Sequence, residues 1–374
     1  MSTDLEPLAT SIRSVADRAS RGLVDRRALV ESVLLAAVAQ EHVLVVGPPG
    51  TAKSQAVRQI AEAVGDRYFE YLISKFTEPS EIFGAVDLAA LRAGRVVVDT
   101  TDMLPEAQLA FLDEIFLGSS AILNTLLGIL NERVYRRGHT IRSCPLRICV
   151  GASNELPADP TLGAFADRFL VRIFVERVAD PFLEDLLSSG WQASRRLVPG
   201  DSEPIGGILD VAASFVDRVD LSPVRPLLAQ AVRLLRRHGI DLSDRRIVRT
   251  QRLLAAAAVL DGRTLASPAD LWPLVLAIPT HEDQLRAEEI LQEVLTDARN
   301  RVATAAAEET SHGPAARAAR LVEAARGVLA AHADEARQLR LEGLAREIDA
   351  SFASDALPPE LAALRSEIVE ALGE

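Results

Sequence analysis

Lysine and cysteine are nearly missing from this chain of 374 residues: lysine stands only at Lys53 and Lys75, cysteine only at Cys144 and Cys149. Two thiols exclude a disulfide framework, and with no third or fourth ligand beside them they exclude a zinc cage; a reducing, cytoplasmic setting is the expectation. Long apolar runs are missing too. No stretch reaches the roughly 18 to 20 uninterrupted apolar residues that cross a bilayer, and the opening MSTDLEPLAT has neither the basic end nor the apolar core of a secretory signal. Neither a membrane span nor export is expected. A formal charge of -12 argues against broad electrostatic capture of nucleic acid or anionic lipid. What the chain does have is 48% hydrophobic residues, which excludes disorder and suffices for one large or two to three ordinary domains.

The pattern of apolar residues changes character along the chain. A helical pattern from Asp25 to Gln40 leads into the short apolar run His42 to Val46, which reads as a buried parallel strand. A helix from Ser54 to about Val64 follows, then strands around Tyr68 to Ile73 and Leu109 to Leu112, a helix Ser119 to Asn131, and strands Leu146 to Val150 and Leu170 to Val175. Alternation of this kind predicts an α/β core with a parallel sheet sandwiched by helices. Two segments interrupt it, Leu88 to Asp99 around Ala93-Gly94 and Val134 to Ser143 around Arg137-Gly138, and each reads as an inserted hairpin. Beyond Asp180 strand signals stop. After a break at Pro204, helical stretches Ile208 to Val219, Val224 to His238, Arg245 to Leu260 and Pro268 to Ala277 predict a separate all-α subdomain. From Gln284 on, a composition rich in Ala, Glu, Leu and Arg, broken at Ser311 to Pro314 and at Pro358-Pro359, predicts two or three long helices. The expected division is 1–182 for the core with its N-terminal helices, 183–283 for the helical subdomain and 284–374 for a helical C-terminal extension.

The strand ending at Val46 runs into Gly47-Pro48-Pro49-Gly50-Thr51-Ala52-Lys53-Ser54, and Gln55 continues the helix that follows. A phosphate chain needs inward-pointing backbone N–H groups, a helix N-terminus, a compact cation and a hydroxyl for Mg²⁺; this octet supplies all four in the right context. It is a Walker A loop with one departure, Ala52 where glycine usually precedes the lysine. That position is expected to begin the helix at negative φ, where alanine is at home. One of the two lysines falls where the broad fork of arginine would not fit. Some sixty residues on, Leu109-Ala110-Phe111-Leu112-Asp113-Glu114 is an apolar strand ending in two acids. Asp113 is expected to hold the Mg²⁺ water shell with Ser54, and Glu114 to polarise an attacking water. A further strand, Cys149-Val150-Gly151-Ala152-Ser153-Asn154, ends in an amide that is expected to lie between the Walker A loop and the acid-bearing strand and orient that water.

GPPGTAKS, FLDEIFLGSSAILNTLLGILNERVYRRG and GASNELP together resemble the MoxR branch of AAA+ ATPases, most closely its RavA-type members, over roughly residues 22 to 280. Members of this branch carry extra hairpins where the two glycine-centred β patterns fall. The resemblance implies ATP and Mg²⁺ as ligands, the sensor-1 role for Asn154, and for Arg168, in Phe165-Ala166-Asp167-Arg168-Phe169, the arginine finger that reaches a neighbouring subunit's nucleotide. It places sensor 2 at Ser243-Asp244-Arg245-Arg246; the family's usual Ser-Pro-Arg favours Arg245 and leaves Arg246 open. RavA-type proteins extend further with a β-rich module in a helical stalk, for which the last ninety residues show no strand pattern.

The function implied is an ATP-hydrolysing remodeller that works as a homo-oligomeric ring, a hexamer, on a protein client, with a von Willebrand factor A domain protein as partner. Two other readings compete with it. A nucleic-acid motor related to the minichromosome-maintenance helicases would use the basic second hairpin, with Arg133, Arg136, Arg137, Arg142 and Arg147 against Glu132, although no aromatic residue beyond Tyr135 interleaves these charges. A nucleotide-gated scaffold would bind ATP and scarcely turn it over, against which Lys53, Asp113 and Glu114 are all intact.

Overall fold

The strands of the N-terminal half are short and apolar: β1 (Val43–Val46), β2 (Tyr68–Leu72), β3 (Leu109–Asp113), β4 (Val134–Arg137), β5 (Thr140–Ser143), β6 (Ile148–Ser153) and β7 (Val171–Phe174). The structure, a computed structural model, describes residues 5–178, 183–195, 204–312, 314–330, 335–352 and 357–373. Five strands form one parallel sheet in the order β2-β3-β6-β1-β7, so β1 lies between β6 and β7 with Val43 opposite both Val150 and Val171. Successive side chains of a strand point to opposite faces. Val43 and Val45 accordingly enter one core with the helices Glu6–Ala19, Arg27–Ala39 and Lys53–Val64, while Leu44 and Val46 enter a second with the helix Ser120–Glu132. Both faces are covered, which is why these strands lack polar alternation.

The helical subdomain is not a separate globule. Its longest helix, Asp244–Leu260, is buried without interruption from Leu253 to Leu260 and shares the first core with Arg27–Ala39, itself buried from Leu29 to Ala39. The run of alanines at Ala255–Ala258 lets the two backbones approach closely. Four arginines then bolt the helical subdomain to the sheet. Arg246, 2% exposed, donates to Asp167 Oδ1 at 2.7 Å and to the carbonyls of Phe169 at 2.9 Å, Leu170 at 2.8 Å and Ala277 at 2.6 Å. Arg249 pairs with Glu41 at 2.5 Å, Arg252 Nε donates to the Ala39 carbonyl at 3.1 Å, and Arg147 donates to both carboxylate oxygens of Asp210 while also meeting Asp66.

The chain past the helical subdomain departs from expectation. The helix His281–Ile290 runs through the anticipated boundary at 283/284, and the other anticipated boundary, at 182, borders residues outside the described set. Four further helices follow where two or three were expected: Thr304–Ser311, Pro314–Leu329, Glu335–Ser351 and Pro359–Gly373. The first of them belongs to the main core, with Ala306 and Ala307 packed there and the Ala306 N–H donating to the buried Glu31 carboxylate at 3.0 Å. Burial pushes that carboxyl up to about 7, against the pull of Arg27. The last three helices close around a small core of their own that includes Leu321, Leu341, Ile348, Leu361 and Ile368. The expected break at Ser311 to Pro314 falls between helices, with Gly313 itself outside the described residues, and Pro359 opens the last helix.

Of the two expected hairpins, one is present. β4 and β5 pair antiparallel around Gly138. The segment Leu88 to Asp99 is instead a short helix, Leu88–Arg92, with a single bridge between Val86 and Val98. Asp87 decides this. Its carboxylate accepts the N–H groups of Ala89 and Ala90, so the turn of helix nucleates where the β-branched pattern has not yet begun.

Truncating Arg246 to methionine strands Asp167 and three buried carbonyls without their donor. Arg246→Met is expected to cost about 3 to 5 kcal/mol, read as a drop in urea midpoint followed by the fluorescence of the fully buried Trp272. Arg245→Met, on the exposed side of the same turn, should leave the midpoint nearly unchanged.

Candidate nucleotide-binding site

The carboxyl ends of β1, β3 and β6 bring the motif residues together at one edge of the sheet, where open α/β sheets bind ligands. Gly47 leaves β1 through a gap that only glycine passes: a Cβ there would stand 2.1 Å from the Val175 carbonyl oxygen. The loop then turns through Pro48, Pro49 and Gly50, and Thr51 Oγ1 donates back to the Pro48 carbonyl at 2.9 Å. Ala52 overturns the sequence reading. It does not begin the helix at negative φ but sits at φ 62°, ψ 24°, in the left-handed region, and Lys53 is the first helical residue. The loop must reverse there to aim the helix N-terminus inward, so glycine's usual place is a steric requirement that alanine meets at a cost of about 1 kcal/mol.

Lys53 is buried, and its Nζ donates to the carbonyls of Gly47 at 2.6 Å and Pro48 at 3.0 Å. Burial lowers its pKa, while the charges of Asp113 and Glu114 act in the opposite direction. Ser54 and Gln55 lie half-buried in the first turn of the helix. Asp113 ends β3, and its Oδ1 accepts the N–H of Glu114 at 3.0 Å. Glu114 also adopts a left-handed conformation, φ 50°, and Asn154 Nδ2 donates to its Oε1 at 2.6 Å. Burial and then the Asp113 charge raise the Glu114 pKa. The structure therefore joins Lys53, Asp113, Glu114 and Asn154 into one acid-and-cation cluster. Asp113 and the Ser54 hydroxyl supply hard oxygen donors, the type a Mg²⁺ ion takes.

The arginines lie elsewhere. Arg168 follows the helix Pro160–Ala166 and precedes β7, and Arg245 donates to Asn131 Oδ1 at 2.9 Å. Both stand at the amino-terminal edge of the sheet, separated from the Walker A loop by the length of β1, roughly 13 Å for four residues. They are neighbours: burial and then the charge of Arg168 lower the Arg245 pKa. Arg246 corrects the sequence reading outright. Its guanidinium is spent on Asp167 and three carbonyls inside the protein, leaving nothing to offer a nucleotide.

Sequence reasoning missed Arg26. Buried before the helix Arg27–Ala39, it donates from Nε to the Thr51 carbonyl at 2.9 Å and from Nη2 to the Glu176 carbonyl at 2.6 Å, fastening the Walker A loop to the chain after β7. A cleft of about 610 Å³ opens beside it, with Phe174 and His281 on its wall. Nothing in an arginine-rich sequence distinguishes Arg26 from its neighbour Arg27.

Replacing Ala52 by glycine removes the left-handed Cβ. Ala52→Gly is expected to raise stability by a fraction of a kcal/mol up to about 1 kcal/mol, the relief of strain outweighing the freer unfolded chain. The thermal midpoint measures it, and a fall in midpoint would contradict the strained geometry.

Comparison with known proteins agrees with this geometry. Residues 10–203 match the family model described as the MoxR domain in the MoxR-vWA-beta-propeller ternary systems, and residues 224–291 match an AAA lid domain. Two uncharacterized proteins of Methanocaldococcus jannaschii are each 35% identical to this chain, over 70% of it and over 69% and 68% of their own lengths. The chaperone MoxR1 of Mycobacterium tuberculosis is 30% identical over 159 residues, 41% of either chain. A solved structure from Cytophaga hutchinsonii superimposes with a TM-score of 0.63 over 79% of this chain and 96% of that one, at 16% identity, a likeness of fold alone. With its five-stranded parallel core, Walker motifs and lid, the chain belongs to the MoxR family of AAA+ ATPases.

Proposed function

We propose that this chain hydrolyses ATP with Mg²⁺ at the subunit interfaces of a homo-oligomeric ring, a hexamer, in the cytoplasm, and spends the energy on remodelling a protein partner. The observation that carries the reading is the hydrogen bond from Asn154 to Glu114, beside Lys53 and Asp113. Phosphoryl transfer to water needs little covalent chemistry from the protein; it needs positioning and charge. Lys53 exchanges the carbonyls of Gly47 and Pro48 for phosphate oxygens, and the loop from Gly47 to Ser54, with Gln55 behind it, turns N–H groups toward the phosphate chain. Ser54 and Asp113 would hold Mg²⁺, which supplies charge neutralisation on the phosphates. Glu114 accepts a proton from water whose position Asn154 fixes.

The placement of Arg168 and Arg245 supports the ring. Neither reaches its own chain's Walker A loop from the far edge of the sheet, so both are read as serving the neighbouring subunit's nucleotide. A von Willebrand factor A domain protein as partner is supported by the description of the matched family model, which also names a β-propeller. Remodelling of a protein client is supported by the chaperone relative. The RavA-like placement within the family rests on the motifs alone. The nucleic-acid reading loses support because Tyr135 is fully buried against Phe83, and Arg133, Arg142 and Arg147 are engaged within the protein.

Lys53→Ala should abolish tight nucleotide binding in calorimetry, while Glu114→Gln should bind ATP and not turn it over; wild-type hydrolysis by Glu114→Gln would refute its role. Arg168→Ala should bind ATP nearly normally and lose on the order of a thousandfold in rate. Mixed with Lys53→Ala it should regain activity, since some interfaces then pair a working loop with a working finger, and dilution should abolish the rescue. Normal hydrolysis by Arg168→Ala alone would sink both the finger and the ring argument.

A further inference from the structure

The cleft beside Arg26 touches the Walker A loop at two points. Arg26, on its wall, holds the Thr51 carbonyl, and Val175, also on its wall, stands so near Gly47 that its carbonyl oxygen would lie 2.1 Å from a Cβ there. At about 610 Å³ the cleft falls within the roughly 300 to 1,000 Å³ of small-molecule sites. Phe174 and His281 line it with rings whose centroids are 4.9 Å apart and whose planes are inclined by 36°. Asp25, Glu288 and Glu309 bring carboxylates to it, acceptors for hydroxyl and amino groups. Ring faces and acceptors beside a phosphate loop suit a nucleoside, whose base stacks and whose ribose hydroxyls and exocyclic amine donate.

One wall of this cleft comes from a part of the chain that neither matched family model reaches. The models end at residues 203 and 291, whereas Glu308, Glu309, Thr310 and His312 line the cleft from the helix Thr304–Ser311 and its C-cap. That helix is tied in three directions. The Ala306 N–H donates to the buried Glu31 carboxylate at 3.0 Å, His312 Nδ1 lies 3.1 Å from Glu288 Oε2, and Glu308 pairs at 2.6 Å with Arg320 of the helix Pro314–Leu329. Arg320 also meets Glu347 of the helix Glu335–Ser351. A single guanidinium thus joins the cleft wall to two of the three helices that close the C-terminal core. With eight residues, Thr304–Ser311 is too short to be stable by propensity and is held by what packs on it. An occupant of the cleft adds to that packing.

We infer that the helix Thr304–Ser311 is a nucleotide-responsive wall: the nucleoside end of a bound nucleotide seats against it, and the link Glu308–Arg320–Glu347 passes the occupancy of the site to the C-terminal bundle. This rests on the reading of the chain as an ATPase and adds a route by which nucleotide state reaches the C-terminal extension. By linkage the route runs both ways, so whatever the bundle binds changes the hold on the nucleotide by the same factor.

The test is hydrogen exchange read by mass spectrometry on the full chain, with Mg²⁺ and either ADP or inorganic tripolyphosphate at saturation, each against the unliganded protein. Both ligands should protect residues 50–56, the loop and first helical turn. ADP alone should slow exchange in Thr304–Ser311, by about tenfold. ADP should also slow exchange in Pro314–Leu329 and Glu335–Ser351, and Arg320→Ser should remove that second effect while keeping ADP affinity and the protection of Thr304–Ser311. Glu309→Trp, at an exposed position on the cleft, should weaken ADP about tenfold and leave tripolyphosphate unchanged. Equal slowing of Thr304–Ser311 by tripolyphosphate would overturn the inference, because the helix would then answer to the phosphate loop and not to the nucleoside. Protection of residues 50–56 by ADP with none in Thr304–Ser311 would overturn it too, and undiminished protection of the bundle in Arg320→Ser would overturn the link. If neither ligand protects residues 50–56, the ATPase reading itself fails and the inference falls with it.

Discussion

One buried guanidinium decides how this protein is put together. Arg246 reaches from the first turn of the helix Asp244–Leu260 into the amino-terminal edge of the sheet, where its hydrogen bonds satisfy Asp167 and the carbonyls of Phe169, Leu170 and Ala277 at once. A buried cation is costly unless every donor finds an acceptor, and here the acceptors come from both the sheet and the lid. The lid is therefore fixed to its own core at the edge opposite the Walker A loop. Arg249 and Arg252 continue the same seam to Glu41 and Ala39.

That seam has a chemical consequence. With Arg246 committed inside, its neighbour Arg245 is carried to the surface beside Arg168, and both are held a strand's length from the cluster of Lys53, Asp113, Glu114 and Asn154. The cluster and the arginine pair thus lie on opposite edges of one sheet, and the proposed function reads them as two half-sites. In the proposed ring the two halves meet only between subunits, which makes assembly a condition of catalysis rather than a setting for it.

The Walker edge is held by strain as much as by attraction. Ala52 and Glu114 both occupy left-handed backbone, and Gly47 passes a gap closed to any other residue. Such geometry persists when the surroundings over-determine it. Arg26 is part of that surrounding, tying Thr51 to the chain beyond β7.

The sequence by itself determined the strands of the parallel sheet, the helices Arg27–Ala39, Lys53–Val64, Ser120–Glu132 and Asp244–Leu260, the Walker motifs and the amide that meets Glu114, because each is a local pattern: an apolar run, a turn of fixed chemistry, an acid pair at a strand end. It was misleading at Ala52, where helix propensity spoke for negative φ and closure of the loop required the opposite. It also misread Leu88 to Asp99, where a single capping aspartate outweighed the β pattern that follows it. Only the tertiary structure separated Arg245 from Arg246, adjacent residues of one helix, one turned to the surface and one into the seam. Only it singled out Arg26. An arginine's partners are carbonyls and carboxylates brought from distant parts of the chain, and no local pattern of residues records where the fold will deliver them.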